Sequence, residues 1–310
     1  MVDQLAKLMP DADSFRAWIA RQVRFCSSLV DRITTGAPSP ATRPEITSRL
    51  GYDDALLTVT EPHSFWAIEG DPAALRAAFP IADVSRGTVI FAPDIASYCD
   101  RKLRLLNGAH TALAPLALIA GVRTVREATE HPMLGGLLQQ LLFDEIIPSL
   151  ALPSETTTAY AHTVVERFRN PWLDHEWRVI ATNQTAKFRV RVVPSIVEYS
   201  RRFGTPPPGL ALALAASLWI AHTPARRGGE GWWSSNAHRI VDVDREMIAR
   251  HWRRVDPDSA VSAMSEPMLA RVAEIALGDV MIWGDDLRPL QGLCQEVAAA
   301  LYNIQPGVSQ

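Results

Sequence analysis

Apolar residues recur three and four positions apart along most of the chain beyond residue 94, which is the spacing of helices with one buried face. The clearest stretches are Lys102–Ala120, Val125–Phe143, Thr157–Phe168 and Leu210–Ala221. An earlier helix is predicted within Asp11–Phe25, where Asp and Ser residues precede apolar residues at near-helical spacing. The pattern therefore predicts a mainly α-helical protein.

Short strands are predicted only near the N-terminus. β-Branched and aromatic residues are concentrated in Ser28–Ile33, Leu56–Glu69 and Gly87–Phe91. A loop rich in Pro and Thr, Thr34–Pro44, separates the first two of these segments. We therefore expect one small β-sheet in an otherwise helical chain.

The pattern divides the chain into four segments. Residues 1–25 are expected to form a linking helix, and residues 26–222 the core of the main domain. Residues 223–236 are rich in Gly, Arg and Ser, which predicts an exposed loop. Residues 237–310 are expected to form a C-terminal helical section of the same domain.

Charge and composition make several classes of function improbable on physical grounds. The net charge of −3 and the scattered Arg pairs provide no basic surface, so no nucleic-acid partner is expected. Polar residues or prolines interrupt the longest uncharged runs, which favours buried helices over membrane spans. The three cysteines show no C-x-x-C spacing, so we expect neither a disulfide framework nor a zinc site, and a reducing cytoplasm fits best.

A fingerprint for binding dinucleotides is also missing. The segment nearest to G-x-G-x-x-G is Gly229–Ser234, which lacks the third glycine and follows no predicted strand. No phosphate-binding loop of the Walker type is present. The chain is therefore not expected to bind a nucleotide by itself.

Three polar residues in Arg101–Thr111 form the main candidate for chemistry. Lys102, Asn107 and His110 stand at positions i, i+5 and i+8, within roughly 140° of one another on an α-helix. Oxidation of a secondary alcohol needs a base for the hydroxyl proton and donors for the developing alkoxide. Lysine can serve as the base when burial lowers its pKa, and Asn and His can donate, so no metal is required. The alternative is that Lys and Asn lie on a helix surface and that the His is structural.

Several segments resemble one family in the same order along the chain. The spacing K-x-x-x-x-N-x-x-H at Lys102, Asn107 and His110 is accompanied by VDRI at Val30–Ile33 and by RF-x-NP at Arg167–Pro171. The sequence is thereby identified as a member of the mannitol dehydrogenase family of polyol-specific, long-chain dehydrogenases. The resemblance implies a multi-helical domain like the C-terminal domain of 6-phosphogluconate dehydrogenase. It also implies that Lys102 is the base and that Asn107 and His110 bind the substrate oxygen.

Within the family, other segments most resemble the tagaturonate reductase (altronate oxidoreductase) branch. They are LLNGAHT, Phe143–Pro148 and Ala181–Phe188. This resemblance implies a sugar-acid substrate, although a polyol stays open, and it makes Lys187 a candidate for binding the carboxylate. A solvated charge is the alternative for Lys187.

Two further residues are candidates for substrate binding by resemblance. Asp31 and Arg32, in the VDRI segment, correspond to positions at the family's substrate pocket. A structural role is the alternative for this pair, and it is the interpretation favoured for Glu61 and His63.

The family's cofactor is NAD, held by a Rossmann domain that we expect to be missing from this chain. Two hypotheses therefore stay open. The chain is the substrate-binding and catalytic half of an NAD-dependent sugar-acid or polyol dehydrogenase that needs a separate Rossmann-domain partner, or it is a non-catalytic binding or structural module derived from that family. An exposed apolar patch is expected around Trp18, Phe25 and the VDRI strand.

Overall fold

The computed structural model describes residues 1–85, 87–222, 241–257 and 264–305. The loop expected at residues 223–236 lies outside these residues. The chain forms two compact units. We call Met1–Arg32 with His63–Cys99 the sheet unit, and Ile33–Pro62 with Asp100–Gln310 the helical unit.

The strands are numbered in chain order: β1 (Ser28–Asp31), β2 (Thr34–Gly36), β3 (Val59–Thr60), β4 (Phe65–Glu69) and β5 (Val89–Ala92). The first α-helices are α1 (Val2–Ala6), α2 (Ala12–Gln22), α3 (Arg43–Leu50), α4 (Pro72–Ala78), α5 (Ile81–Val84), α6 (Ala96–Arg101), α7 (Ala109–Ile119), α8 (Val125–Glu130), α9 (Pro132–Gln139) and α10 (Ile147–Ser149). The later ones are α11 (Ser154–Phe168), α12 (Trp177–Ile180), α13 (Gln184–Arg191), α14 (Val193–Phe203), α15 (Pro208–His222), α16 (Arg245–Val255), α17 (Glu266–Leu277), α18 (Val280–Trp283) and α19 (Leu293–Ile304). Two segments are π-helical, π1 (Lys102–Gly108) and π2 (Gln140–Ile146).

The sheet unit contains a three-stranded sheet in the order β1-β4-β5. Strand β1 pairs antiparallel with β4, with Ser28 opposite Ile68, and β4 pairs parallel with β5. Helices α4 and α5 connect the two parallel strands, as a crossover between parallel strands requires. Trp18, Phe25 and Val30 of this unit are 50%, 64% and 58% exposed, so large apolar side chains do reach the surface in the region expected from the sequence.

The helical unit holds most of the buried apolar residues. Helix α15 is buried on nearly all sides, because the sequence PGLALALAASLWIAH is apolar around the whole helix. It packs against α7, α16 and α19, and α7 is buried from Ala109 to Ala117. The fold is thus mainly α with a small sheet near the N-terminus, as the pattern predicts.

Strands β2 and β3 pair antiparallel as a short ribbon, and a buried ion pair ties this ribbon to α11. Glu61, which follows β3, accepts hydrogen bonds from Arg167 Nη2 at 2.7 Å and Nε at 3.1 Å. The Glu61 carboxylate also accepts the N–H of Ile33 at 2.6 Å, and its side chain is only 2% exposed. This pair supports the structural interpretation of Glu61.

The connection between α11 and α12 is held against the start of α8. The N–H of Val125 donates to the carbonyl of His175 at 3.0 Å, and the indole N–H of Trp177 donates to the carbonyl of Thr124 at 2.9 Å. Thr124 in turn begins α8 with a capping box completed by Glu127. These bonds fix His175 and Trp177 in the helical unit.

Within the residues that the structure describes, no helix is both long enough and apolar enough to cross a membrane.

Candidate functional site

Lys102 and Asn107 lie on π1, and His110 lies in the first turn of α7, which continues directly from π1. The sequence spacing predicts an α-helix here, and that prediction is wrong for residues 102–108. A π-helix closes its hydrogen bonds between residues five apart, so residues at i and i+5 stand about one turn apart. The π geometry therefore brings Lys102 and Asn107 to the same side of the helix, where an α-helix would turn them apart.

Hydrogen bonds from side chains to backbone carbonyls hold the end of π1. The hydroxyl of Thr111 donates to the carbonyl of Asn107 at 2.7 Å, and Gln184 Nε2 donates to the carbonyl of Thr111 at 2.8 Å. The Asn107 side-chain amide makes no hydrogen bond to another described residue. This amide is therefore available to a ligand.

His110 lies in an aromatic cage. Its ring stacks on Phe168 with centroids 4.0 Å apart and contacts His175 edge-on at 5.0 Å. Trp177 closes a third side at 6.2 Å. A small cavity of about 10 Å³ adjoins His110, and Arg167, Phe168 and His175 are among the residues that line it.

Burial and nearby charge both keep His110 neutral. Desolvation is the largest cause that holds its pKa well below 6.5, and His175, Arg167, Arg191 and Lys102 add to the effect. Desolvation, with a contribution from Lys187, likewise lowers the pKa of His175 to about 4. A neutral imidazole carries one N–H donor and one acceptor nitrogen, so at neutral pH His110 can donate a hydrogen bond to a substrate oxygen without bearing charge.

Helix α13 adds two cations to this region. Lys187 Nζ donates to the carbonyl of Ile180 at 3.0 Å, and Arg191 Nη1 donates to the hydroxyl of Thr111 at 3.3 Å. A Cβ atom on Gly108 would stand 3.1 Å from the carbonyl oxygen of Arg191, which is a tight contact, so glycine favours this close approach between π1 and the end of α13. Helix α13 therefore lies directly against the segment that carries Asn107 and His110.

Asp31 and Arg32 belong to the sheet unit, at the end of β1. Asp31 is 2% exposed and Arg32 is exposed, as adjacent residues of an extended strand point to opposite sides. Asp31 Oδ2 lies 3.8 Å from His63 Nε2, and Arg32 Nε donates to the carbonyl of His63 at 3.1 Å. Both side chains thus contact the start of the neighbouring segment, and they do not share one face.

Two residues of this region were not anticipated as part of the candidate site. His175 carries no motif of its own, although it follows RF-x-NP, whose Phe168 stacks on His110. Arg191 could have been found from its position one helical turn after Lys187. Among the described residues no group of three His, Cys, Asp or Glu side chains is arranged to hold a metal ion.

Residues 94–305 match the family model described as the mannitol dehydrogenase C-terminal domain. The chain belongs to the mannitol dehydrogenase family. This membership confirms the identification made from the lysine, asparagine and histidine spacing and its accompanying segments.

Curated relatives of this chain include altronate oxidoreductases. The protein of that name from Bacillus subtilis is 35% identical over 94% of this chain and 55% of its own length. That from Phocaeicola vulgatus is 34% identical over 94% of this chain and 57% of its own length. The chain thus spans little more than half the length of the curated relatives it matches.

Two solved structures share the fold. The Pseudomonas fluorescens mannitol 2-dehydrogenase ternary complex with NAD and D-mannitol has a TM-score of 0.67 and 24% identity, covering 94% of this chain and 53% of that one. A D-sorbitol dehydrogenase in substrate-free form has a TM-score of 0.59 and 22% identity, covering 93% and 56%. At these identities the likeness concerns the fold alone.

Residues 3–78 match the model of the family's Rossmann domain. The expectation that this domain is missing is therefore not confirmed. That expectation depended on the missing glycine fingerprint, whereas the match covers α2, β1, β4 and α4. The sheet unit carries the parallel strand pair and crossover helix that a βαβ unit contains.

The turn between β4 and α4 does not fit the pyrophosphate of a dinucleotide. Such a group binds the free N–H groups at the start of a helix that follows a strand. Here the Asp71 carboxylate accepts the N–H groups of Ala73 and Ala74 at 3.3 and 3.2 Å, and the N–H of Gly70 donates to the carbonyl of Ala92 at 2.8 Å. A negative side chain thus already occupies the N–H groups that a pyrophosphate would need.

Proposed function

We propose that this chain supplies the substrate-binding and proton-transfer residues of an NAD-dependent oxidoreductase that acts on a secondary alcohol of a sugar acid or polyol. The observation that carries the proposal is the placement of Lys102, Asn107 and His110 on the continuous helix formed by π1 and α7. The name altronate oxidoreductase, which the relatives from Bacillus subtilis and Phocaeicola vulgatus share, supports a sugar acid as the substrate.

Each residue has a role that follows from its chemistry. Lys102 takes the proton of the substrate hydroxyl during oxidation and returns it during reduction. The Asn107 amide and the neutral His110 ring donate hydrogen bonds to the same oxygen as it acquires negative charge. The aromatic cage of Phe168, His175 and Trp177 keeps the His110 ring in one orientation and excludes water around it.

NAD supplies the hydride acceptor in this proposal. The Rossmann match and the NAD bound in the ternary complex of mannitol 2-dehydrogenase support this cofactor. Because the β4–α4 turn does not fit a pyrophosphate, NAD would bind to further Rossmann-domain residues, either in a longer gene product or in a separate partner. Asp31, Arg32 and Lys187 stay proposed substrate-binding residues, and the cytoplasmic location stays a prediction from the sequence.

The test is an assay of NADH absorbance with D-altronate, NAD⁺ and the purified chain, with and without an added nucleotide-binding domain of an altronate oxidoreductase. We expect turnover with that domain, and a loss of about 10²–10⁴-fold in Lys102→Ala because the base is removed. Asn107→Ala should lose about 10²–10³-fold as one donor to the oxygen disappears. The exposed-residue variant Arg271→Ala serves as a control and should retain full activity.

Two results would contradict the proposal. One is no NADH formation under any of these conditions. The other is turnover that Lys102→Ala leaves unchanged. Altronate binding without turnover, equally tight in Lys102→Ala, would instead favour the non-catalytic binding module.

A further inference from the structure

We propose that Arg191 binds the carboxylate of the substrate, and that it thereby selects sugar acids over neutral polyols at the site of Lys102, Asn107 and His110. This inference rests on the proposed function and names the residue that determines its substrate class. Lys187 is the candidate that the sequence supplies for this role. The structure favours Arg191 on position, charge and geometry.

Arg191 lies beside the segment that carries the two oxygen-binding residues. Its carbonyl oxygen approaches Gly108 so closely that a Cβ there would be only 3.1 Å away. Its guanidinium donates to Thr111 Oγ1, which itself donates to the carbonyl of Asn107. The charge of Arg191 is also near enough to His110 to contribute to lowering the pKa of that ring. Arg191 therefore contacts the helix of the candidate site next to both Asn107 and His110.

The charge of Arg191 is not neutralised by any carboxylate among the described residues. Its single hydrogen bond there goes to a neutral hydroxyl, at the long distance of 3.3 Å. Burial lowers the pKa of Arg191, and no described acid offsets that effect. A partly buried guanidinium without a counter-ion is unfavourable, and an anionic ligand would remove the penalty.

Arg189, in the same turn of α13, shows the contrasting arrangement. Its guanidinium forms an ion pair with Asp244 at 3.2 Å and also donates to the carbonyl of Ile282. Both arginines lie at the C-terminal end of α13, where a helix dipole favours a positive side chain. Since the dipole acts on both, it does not explain why only one of them has a carboxylate partner.

Arg191 is better suited to a carboxylate than Lys187. The Lys187 ammonium already donates to the carbonyl of Ile180 at 3.0 Å, and Asp242 partly compensates its charge. A guanidinium presents two parallel N–H groups that match the two oxygens of a carboxylate, whereas an ammonium acts as a point charge. Lys187 therefore adds to the positive potential, and Arg191 provides the directed contact.

The neutral state of the nearby histidines is consistent with this assignment. The cations Arg167, Arg191, Lys102 and Lys187 help to keep the rings of His110 and His175 uncharged. Of these cations, Arg167 is already paired with Glu61. A single carboxylate at Arg191 would compensate part of the remaining positive charge without competing with the N–H that His110 offers to the substrate hydroxyl.

The experiment compares two ligands that differ only in the charged group. D-Altronate and its neutral counterpart D-altritol are titrated calorimetrically into the 310-residue chain. We expect altronate to bind at least about 10-fold more tightly than altritol, because a charge-assisted hydrogen bond contributes more than a neutral one. Arg191→Gln should abolish this preference and leave altritol binding unchanged. The matched control Arg189→Gln should retain the preference.

Arg191→Lys keeps the charge but removes the planar guanidinium with its two parallel N–H groups. This variant should therefore weaken altronate binding several-fold and leave altritol binding unchanged. This variant decides the question if Arg191→Gln does not fold. The inference is overturned if the wild-type chain shows no preference for altronate, including binding of neither ligand, or if the arginine variants keep the full preference.

Failure of this inference is distinguishable from failure of the proposed function. Equal turnover of altritol and altronate would support the oxidoreductase activity and contradict the role of Arg191. Preferential binding of altronate without any turnover would support the role of Arg191 and contradict the oxidoreductase activity.

Discussion

The buried pair of Glu61 and Arg167 is expected to be one of the strongest single determinants of the stability of the helical unit. The side chains of Glu61 and Arg167 are 2% and 5% exposed, and the Glu61 carboxylate accepts three hydrogen bonds, two from Arg167 and one from Ile33. Glu61→Gln keeps the shape and one oxygen for Ile33, but it removes the negative charge of Glu61 that faces the buried Arg167 guanidinium. Breaking a buried pair in this way lowers the free energy of unfolding by about 3–5 kcal/mol.

Urea unfolding followed by tryptophan fluorescence measures this change. At a slope of about 3 kcal/mol per molar urea, the midpoint should fall by about 1–2 M. In the double variant Glu61→Gln with Arg167→Met, the buried charge is gone as well. The double variant should therefore be at least about 1 kcal/mol more stable than the sum of the two single effects predicts.

An exposed pair of the same length provides the control. Arg271 Nη1 lies 2.6 Å from Glu274 Oε2, but both side chains are more than half exposed. Glu274→Gln should change the stability by less than about 1 kcal/mol. The reasoning is refuted if Glu61→Gln changes stability as little as Glu274→Gln does, or if the effects of Glu61→Gln and Arg167→Met simply add.

Three further predictions concern the neighbouring elements. Gly108→Ala should lower the free energy of unfolding by about 1–3 kcal/mol because its Cβ would press on the backbone of α13, whereas Gly136→Ala, with no atom within 4 Å of its Cβ, should be neutral or slightly stabilising in the same urea assay. The pKa of His175 is lowered from 6.5 to about 4, so between pH 4 and pH 6.5 the His175 ring is mainly protonated in the unfolded chain and mainly neutral in the folded chain. The free energy of unfolding should therefore decrease by up to about 3 kcal/mol as the pH falls from 6.5 to 4, and a pH series on His175→Phe should show a shallower decrease, an unchanged slope being the contrary result. Glu145 accepts the N–H groups of Gly209 and Leu210 at 2.7 and 2.8 Å, so Glu145→Gln should speed hydrogen exchange at these two amides, and unaltered exchange would show that the carboxylate does not hold the start of α15.

The hydrophobic pattern predicts the class of fold because burial of apolar residues dominates it. The strands expected at Ser28–Ile33, Leu56–Glu69 and Gly87–Phe91 contain β1, β3 with β4, and β5. Helix α3, by contrast, has no buried residue and therefore no apolar stripe to reveal it. The short ribbon of β2 with β3 could not be predicted either, since its pairing depends on residues far apart in sequence.

The candidate site was predictable in part. The spacing and the family resemblance single out Lys102, Asn107 and His110 as candidates, yet the spacing predicts an α-helix where π1 forms. Contacts between distant segments leave no local signal, which is why the approach of Arg191 to Thr111 and of His175 to His110 appears only in three dimensions. The Rossmann match of residues 3–78 was missed for a related reason, since a glycine fingerprint reports one turn of that domain and not the strands and helices around it.

The two π-helical segments have a consequence for how this chain is compared with its relatives. An extra residue in an α-helix would rotate everything after it by about 100°, which would turn the buried face of α7 toward solvent. A π turn accommodates such an insertion locally, so the helix that follows keeps the same face buried. An alignment with relatives should therefore keep residues 102–108 free of gaps, because the K-x-x-x-x-N-x-x-H spacing spans the additional residue that π1 accommodates. Deleting Leu103 should accordingly spare the packing of α7 while it returns Lys102 and Asn107 to α-helical spacing.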